Sequence, residues 1–407
     1  MRPHREAAKT RGVISRRQFC QSAALGLGGL AVGGCLNPLT GQGLAAGPLL
    51  PAMATGNSVE LCLNSRVSNH LVVGGTASAQ QIANVLWAAG KAPVTGSHRT
   101  IYAKTPDGSY IYHPDEHALE FYSREIVPHA LRINYDRERD FDAGVSYMCA
   151  LSAATALWTS NESQLASCPQ IADLNFGIAD VPGLTSQLVA VSSDDSLPAP
   201  ATEGSGNLED VLGALRLDSV LLADVELTPP EVSQLLWAGY GCTPHTTFSG
   251  RGGLTVPSWV AQYFLTNRVY VVDAQVARFC NRQGTDFATR DHRLELVADA
   301  DVRTGVRQAL PDLPAAPCYF LLCLTSSGLK TWYQRLETGF AAGGMLLQAA
   351  ALGLGCAFQA DLSAEEQAAL QQVTQIPPNE YPHAVVAIGH RTEDAENTSQ
   401  RLRRAES

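Results

Sequence analysis

The chain has 407 residues, which is enough for two domains or for one large fused unit with a sizeable core. Its formal net charge of -10 and pI near 5.5 argue against a nucleic-acid-binding surface, because such surfaces are basic. The ten cysteines occur singly, without a Cys-x-x-Cys pair or a His/Cys group at metal-ligand spacing, so we expect no metal site.

Residues 1–35 are typical of an export signal. Basic residues precede Ser-Arg-Arg-Gln-Phe at residues 15–19, and residues 23–34 are apolar and rich in glycine. These twelve residues are too few to cross a bilayer, which takes about 20. The pattern resembles a twin-arginine signal, which serves proteins that fold around a cofactor before export. We therefore expect export to the periplasm.

The end of this leader leaves two possibilities open. Val32-Gly-Gly-Cys35 resembles a lipobox, in which case Cys35 receives a lipid and attaches the protein to a membrane. Alternatively, a signal peptidase cuts there and Cys35 is discarded. Residues 36–57 are rich in Gly, Ala and Pro and predict a flexible tether.

The mature chain divides into two halves, residues 58–192 and 208–391. The segment between them, 193–207, is polar and punctuated by Pro and Gly, which predicts a linker. The charged segment 392–407 predicts a frayed tail. Cys149, Cys323 and Cys356 lie in apolar runs and are typical of buried free thiols.

Helices and strands are predicted in the same order in each half. Residues 78–89 and 228–239 begin with Ser or Thr three residues before Gln or Glu, which is a capping box, and continue with apolar residues at helical spacing. Short β-branched or aromatic runs predict buried strands at 269–272, 319–323 and 383–388. Residues 337–354 are nearly all Ala, Gly, Leu and Met and predict a central buried helix. The fold class is α+β.

Four ordered pairs of matching segments indicate an internal duplication. The helix 84–90 matches 234–241, the hairpin 108–121 matches 284–296, and the helical run 142–157 matches 337–352. The fourth proposed pair is 188–192 with 385–389. Ordered matches over most of two segments predict a pseudo-dimer within one chain.

These segments, in this order, resemble the nitroreductase family. Within it they are similar to the flavin-dependent dehydrogenases related to the thiazoline and oxazoline oxidases. The resemblance rests on the Leu-Leu-Trp-Ala helix, the Pro257-Ser258 turn, the hairpin ending at Leu119, the Glu337-x-Gly339 helix and the Leu352-Gly-Leu-Gly355 ending. It implies an α/β sandwich that binds FMN in clefts between two subunits, which the duplication would supply internally.

The resemblance assigns the FMN phosphate to an Arg-x-Ser element. Its matches are Arg66-Val-Ser68 in the first half and Arg216-Leu-Asp218 in the second. A cation and small donors suit a phosphate dianion, whereas Asp218 would repel it unless it folds back on Arg216. A late arginine also reaches the phosphate in the family, and Arg403 or Arg404 is the candidate.

The resemblance assigns the flavin ring to two further turns. Pro257 and Ser258 match one of them, and Gly353 and Gly355 match glycines that allow close backbone approach. The first half has Trp158 at the glycine position, which should block a flavin. Gly343-Gly344 replaces the family's common Gln-Asn and removes side-chain amides that could face the cofactor. We therefore infer at most one working FMN site, with walls from different halves.

Proton transfer needs a base, and three residues are candidates. The azoline oxidases use a Lys-Tyr pair, which Lys330 and Tyr333 resemble without the adjacency. A desolvated Lys330 would act as base and Tyr333 as acid; otherwise both are exposed loop residues. His245, just before the Pro257 turn, is the alternative base.

The sequence therefore predicts an exported FMN-dependent oxidoreductase of a small organic or peptide-derived substrate. NAD(P)H is scarce outside the cytoplasm, so we expect substrate oxidation, with electrons passing to oxygen or a quinone-linked acceptor. The alternative is a flavin-free protein that keeps the fold and acts as a scaffold or binding lipoprotein. A ligand chaperone is a third possibility, ranked last.

Overall fold

The computed structural model describes residues 45–67, 77–93, 100–128, 130–135, 140–157, 165–170, 173–178, 183–191, 196–221, 223–247, 250–283 and 290–391. The leader with Cys35, the tail with Arg403 and Arg404, Ser68 and Trp158 lie outside these residues. No helix among the described residues is long and apolar enough to cross a membrane.

The described residues of the first half, together with the segment just before it, form three helices and seven strands. The helices are α1 (Val59–Ser65), α2 (Ala79–Lys91) and α3 (Asp140–Ala156). The strands are β1 (Gly47–Pro48), β2 (Ile101–Thr105), β3 (Gly108–His113), β4 (Ala118–Ser123), β5 (Leu131–Tyr135), β6 (Leu165–Gln170) and β7 (Asp173–Ile178). Helix α2 begins at the predicted capping box, in which Gln81 N donates to the Ser78 hydroxyl and Ser78 N donates to the Gln81 side chain.

The second half repeats this series with additions. Its helices are α4 (Leu208–Ala214), α5 (Pro229–Tyr240), α6 (Arg303–Ala309), α7 (Trp332–Ala351) and α8 (Ala364–Thr374). Its strands are β8 (Cys242–Thr246), β9 (Gly252–Leu254), β10 (Val269–Val272), β11 (Val276–Cys280), β12 (Arg293–Ala298), β13 (Cys318–Leu324), β14 (Gly355–Ala360) and β15 (Tyr381–Gly389). The predicted helix at 228–239 and the three predicted strands are confirmed, and the central helix begins five residues before its predicted start.

The two large sheets have the same strand order, which confirms the duplication. The first runs β1-β4-β3-β2-β5-β7-β6, and the second runs β12-β11-β10-β13-β15-β14, with neighbouring strands antiparallel. If the short edge strand β1 is left out of the comparison, each strand of the first sheet has a counterpart at the same place in the second. The fold is an α+β nitroreductase-like sandwich, duplicated as a pseudo-dimer.

The sequence pair 188–192 with 385–389 is wrong. The counterpart of β15 is β7, at residues 173–178, whereas residues 188–190 form no strand and Val191 makes only an isolated bridge to Arg290. The apolar residues at 188–191 resemble a strand in sequence, but sheet order assigns that position to β7. The segment that follows Val191 contacts both halves. Gly204 N donates a hydrogen bond to the Ser58 hydroxyl of the first half, and Leu197 N donates one to His292 O of the second.

The central strands of the second sheet, β10, β13 and β15, are buried on both faces. Along β13, Cys318, Phe320 and Leu322 join the core that contains the helices of both halves, while Tyr319 and Leu321 join a second core under α6 and α8. Strand side chains alternate between faces, so a strand covered on both sides is continuously apolar. Cys149, Cys323 and Cys356, which the sequence places in apolar runs, are buried.

The central helices α3 and α7 meet at equivalent glycines. A Cβ built on Gly339 would lie 2.1 Å from Phe141 O and 2.9 Å from Gly144 Cα, and one built on Gly144 would lie 2.3 Å from Leu336 O. These are the glycines of the matched Asp-x-Gly and Glu-x-Gly elements. Contact between equivalent residues is expected where a pseudo-twofold axis passes between two subunits.

The helix starts at Ser58 and Asn207 give a second contact between equivalent residues. They form an antiparallel bridge, and Leu208 N donates to Asn57 O at 2.8 Å. Both cap short helices that occupy the same place in each half, α1 and α4.

We expect Gly339→Ala to destabilise the fold by about 1–3 kcal/mol, because its methyl group would overlap the backbone of α3. Urea unfolding measures the change. Gly213→Ala is the matched control, since nothing lies within 4 Å of a Cβ at that position in α4 and alanine favours helix. Equal stabilities for the two variants would contradict the helix contact.

Candidate functional site

The predicted site residues lie in two groups, at opposite ends of α7. We call the first the Ser258 end; it contains Arg66, His245, Pro257, Ser258 and Glu337. Pro257 is buried in the turn after β9, and the Ser258 hydroxyl accepts a hydrogen bond from Tyr263 N at 2.7 Å. Here the first half contributes Arg66 to a turn of the second.

Arg66 holds the strand that leads into this turn. It is 1% exposed, and its Nε and Nη2 donate to Thr255 O at 2.9 Å and Leu254 O at 2.7 Å. Burial lowers its pKa to about 10. A phosphate at the surface could reach Arg66 only after these bonds broke, so the structure gives it a structural role that the sequence did not predict.

Arg290 is a second buried cation at the Ser258 end, and sequence reasoning missed it. It donates from Nη2 to Gly252 O at 2.7 Å and from Nη1 to Asn281 O at 3.2 Å. Its Nε is buried without a hydrogen-bond partner among the described residues. Gly250-Arg-Gly-Gly253 thus forms the end of the turn and the start of β9 in the β8-β9 hairpin, and the two arginines bind carbonyl groups of β9. The sequence feature that could have identified Arg290 is its position two residues before the His-x-Leu-Glu motif that leads into β12.

His245 is a poor candidate for a general base. Burial, followed by the positive charges of Arg66 and Arg290, lowers its pKa to about 3. The ring accepts or donates one hydrogen bond, between Nδ1 and the Thr243 hydroxyl at 2.6 Å. An imidazole with so low a pKa holds a proton weakly at neutral pH.

Lys330 and Tyr333 do not form the expected pair. Lys330 is exposed, so the desolvation that its role as a base requires is absent. Tyr333 lies among aromatic rings: it stacks on Trp259 at 5.7 Å between centroids and contacts Phe264 and Trp332. Lys330 therefore fits the alternative prediction of an exposed residue, and Tyr333 packs within an aromatic cluster.

Glu337 is the buried carboxyl of the Ser258 end. Its Oε1 accepts hydrogen bonds from the Tyr240 hydroxyl at 2.5 Å and from Phe264 N at 2.7 Å, while Oε2 has no partner among the described residues. Burial raises its pKa to about 7, although the surrounding donors favour the charged form. The sequence marked Glu337 only as part of a helix motif.

The second group, the Arg391 end, contains Arg216, Asp218, Gly353, Gly355 and Arg391. The Asp218 carboxylate accepts hydrogen bonds from Cys356 N at 3.1 Å and from Arg391 Nη2 at 3.2 Å. Its other oxygen lies 3.7 Å from Arg216 Nε. The carboxylate therefore folds back between two guanidinium groups, which leave one net positive charge.

Arg391 is a second arginine at this end that sequence reasoning missed, and Arg403, the predicted late arginine, lies outside the described residues. It lies two residues after the end of β15, and its side chain is 14% exposed, whereas the side chain of Arg216 is 33% exposed. The signal was its place immediately after the last predicted strand. Both cations can meet an anion from solvent.

The two glycines at the Arg391 end differ. Gly353 has φ +74 with nothing within 4 Å of a built Cβ, so its backbone faces open space and its conformation favours glycine. The space beside Gly355 is occupied by the protein, because a Cβ built there would lie 2.5 Å from Leu221 and 3.2 Å from Asp218. Only Gly353 presents the open backbone that the resemblance implies.

The two ends are far apart along α7. Glu337 contacts the Ser258 turn, and Gly353 follows the other end of α7. The intervening helix rises about 1.5 Å per residue, which separates them by roughly 20 Å. Pro257 and Ser258 therefore lie at one end of α7, and Gly353 and Gly355 lie at the other.

The glycine pair 343–344 packs helices rather than facing a ligand. A Cβ on Gly344 would lie 2.3 Å from Ala238 O in α5, and one on Gly343 would lie 2.8 Å from Met148 Cβ in α3. The larger amides could not fit at this helix spacing.

Comparison with known proteins agrees with the fold. Residues 221–390 match the model of the nitroreductase family, which covers less than half of the chain. No curated protein matches the chain. The protein is thus of nitroreductase fold, with a family match in its second half.

Solved structures extend the likeness. A protein assigned as a nitroreductase from Anabaena variabilis is 12% identical, with a TM-score of 0.53 over 86% of this chain and 94% of its own, so its fold spans both halves. One from Ralstonia eutropha is 21% identical (TM-score 0.38, 52% of this chain and 97% of its own). One from Desulfovibrio desulfuricans, in complex with FMN, is 17% identical (TM-score 0.32, 46% and 88%).

The raised pKa of Glu337 predicts a pH-dependent stability. Relative to its ordinary value of 4.5, a folded value of about 7 gives stability that is present below pH 4.5 and lost as the pH rises through 7. The loss is on the order of 3 kcal/mol. We expect Glu337→Gln to remove this pH dependence. The stability of the variant should therefore rise relative to that of the wild type between pH 5 and 8.

Urea unfolding at several pH values measures this difference. His245 titrates in both proteins and cancels in the comparison. The exposed Glu116→Gln is the control. Parallel pH profiles for wild type and Glu337→Gln would show that Glu337 is charged in the folded protein throughout.

Proposed function

We propose that the protein is an exported FMN-dependent oxidoreductase of nitroreductase fold, in which FMN binds at the Arg391 end. The family match of residues 221–390 supports the class, and this segment contains Gly353 and ends one residue before Arg391. The finer assignment, to the azoline-type dehydrogenases, rests on the sequence motifs named above.

The observation that carries the proposal is the pair of accessible arginines beside an open glycine backbone. Arg216 and Arg391 together outweigh Asp218 and can hold the FMN phosphate. Gly353 leaves room for a planar ring against the chain. FMN, when bound, supplies a two-electron acceptor for a hydride from the substrate, and the protein supplies position and electrostatics.

The environment favours oxidation of the substrate rather than reduction by NAD(P)H. If the leader directs export, nicotinamide donors are scarce where the protein works. A small organic or peptide-derived substrate would then give up two electrons, which pass on to oxygen or to a quinone-linked carrier. A quinone acceptor would place the protein near the membrane, where a lipid on Cys35 would hold it.

Binding of FMN to the purified protein tests the proposal. We expect a flavin absorption spectrum, and about tenfold or greater loss of FMN affinity in Arg391→Gln, because a charge-assisted contact to phosphate is lost. Arg124→Gln, an exposed arginine in the first half, is the control for net charge. Purification without flavin and no uptake of added FMN would remove the enzyme proposal.

The flavin-free alternative has its own supporting observations. Arg66 is buried against carbonyl oxygens, Asp218 stands where the family has serine, and Gly343-Gly344 is consumed by helix packing. A folded protein that takes up no FMN would favour this scaffold or binding function. The same spectrum therefore separates the two.

Export by the twin-arginine route is a separate proposal with its own test. Replacing Arg16 and Arg17 together by Lys should leave the protein in the cytoplasm, because the paired arginines are the feature that resembles the signal. Cell fractionation measures this. Replacing Arg2 and Arg5 by Lys is the control, and unchanged export of the Arg16/Arg17 variant would contradict the route.

A further inference from the structure

A cavity with an acidic lining lies beside the Arg391 end. Its volume is about 340 Å³, and its walls come from the segment 199–206, the starts of α1 and α5, and the end of α7. Glu60, Glu203 and Glu231 contribute three carboxyl groups, and none of the described residues that line it is Lys or Arg. This volume suits a small molecule.

Glu60 is the inner carboxyl of the cavity. It is 6% exposed, and its Oε1 accepts a hydrogen bond from Gln348 Nε2 at 2.7 Å. Its Oε2 accepts no hydrogen bond from the described residues, and Glu60 lines the cavity. A carboxylate oxygen that borders a cavity can accept a charge-assisted hydrogen bond from a cationic ligand.

A chain of amides fixes Glu60 in this position. Gln348 Oε1 accepts from Gln234 Nε2 at 3.2 Å, and Gln234 Nε2 and Oε1 bond the backbone of Ala201 on the opposite wall. A Cβ on Gly204 would lie 2.1 Å from Glu60 Oε2, so the linker closes over the carboxyl. The first half, the linker and α7 are thus held around one acidic group.

The remaining walls also favour a cation. Ala351 and Leu352 belong to the C-terminal end of α7, where the helix dipole is negative. Glu231 lies at the rim, 4.0 Å from His390 Nε2. Ala199, Ala201 and Pro230 add a small apolar lining that suits methylene or methyl groups. The donor set does not suit a metal ion, because no group of three His, Cys, Asp or Glu among the described residues lies close enough to hold one.

We propose that this cavity binds a small organic ammonium group, with Glu60 as its inner partner. The cavity adjoins the proposed FMN end, since Leu352 precedes Gly353 and His390 precedes Arg391. On the proposed function it is the substrate cavity, and the substrate is an amine. The binding itself does not depend on that function.

Isothermal titration of the purified protein with n-butylammonium tests the proposal, with 1-pentanol as the neutral analogue and butyrate as the anion. We expect binding of the ammonium ion alone, and about tenfold or greater loss of affinity in Glu60→Gln, because a charged hydrogen bond is lost. Glu226→Gln, an exposed acid outside the cavity, is the control and should bind as the wild type does.

Glu231→Gln covers the case in which Glu60→Gln fails to fold. At the partly exposed rim it should weaken binding by a smaller factor, about two- to fivefold. No binding of n-butylammonium, equal binding of 1-pentanol, or unchanged affinity in both cavity variants would overturn the proposal.

The flavin spectrum separates this inference from the proposed function. Ammonium binding by a protein that takes up no FMN would leave the cavity standing and remove the enzyme. Flavin uptake without ammonium binding would do the reverse.

Discussion

The contact between Gly144 and Gly339 sets the arrangement of the whole molecule. Without side chains at these positions, α3 and α7 approach until backbone meets backbone, and the equivalent helices of the two halves face each other. Each half then packs its own second helix, α2 or α5, against its central helix and covers it with its own sheet. A side chain at either glycine would separate the helices on which both sheets depend.

This arrangement also divides the candidate site residues. In a pseudo-dimer each cleft takes elements from both halves, so the Pro257-Ser258 turn and the Gly353 turn, although both belong to the second half, fall at different ends of α7. Arg66 then serves the Ser258 turn across the halves, while Arg216 remains with Gly355 and Arg391. The two ends therefore combine residues of the two halves differently.

Local signals in the sequence were sufficient for the elements but not for the site. Capping boxes at Ser78 and Thr228 and the apolar runs of β10, β13 and β15 act within a few residues, so they located helices and strands correctly. The false pair at 188–192 arose because apolar spacing does not report sheet order. The grouping of site residues depends on contacts such as Arg66 with Thr255, 189 residues apart, which no local pattern reports.

Two environments of opposite charge, the paired arginines and the carboxyl-lined cavity, meet at the end of β15. Consecutive residues of an extended chain point to opposite sides, and here His390 approaches Glu231 while Arg391 binds Asp218. The paired arginines favour an anion on one side, and the carboxyls around Glu60 favour a cation on the other. Because the same chain turn separates them, a bound phosphate and a bound ammonium group would stabilise each other across it. Opposite charges so placed suit a site that holds an anionic cofactor next to a cationic substrate.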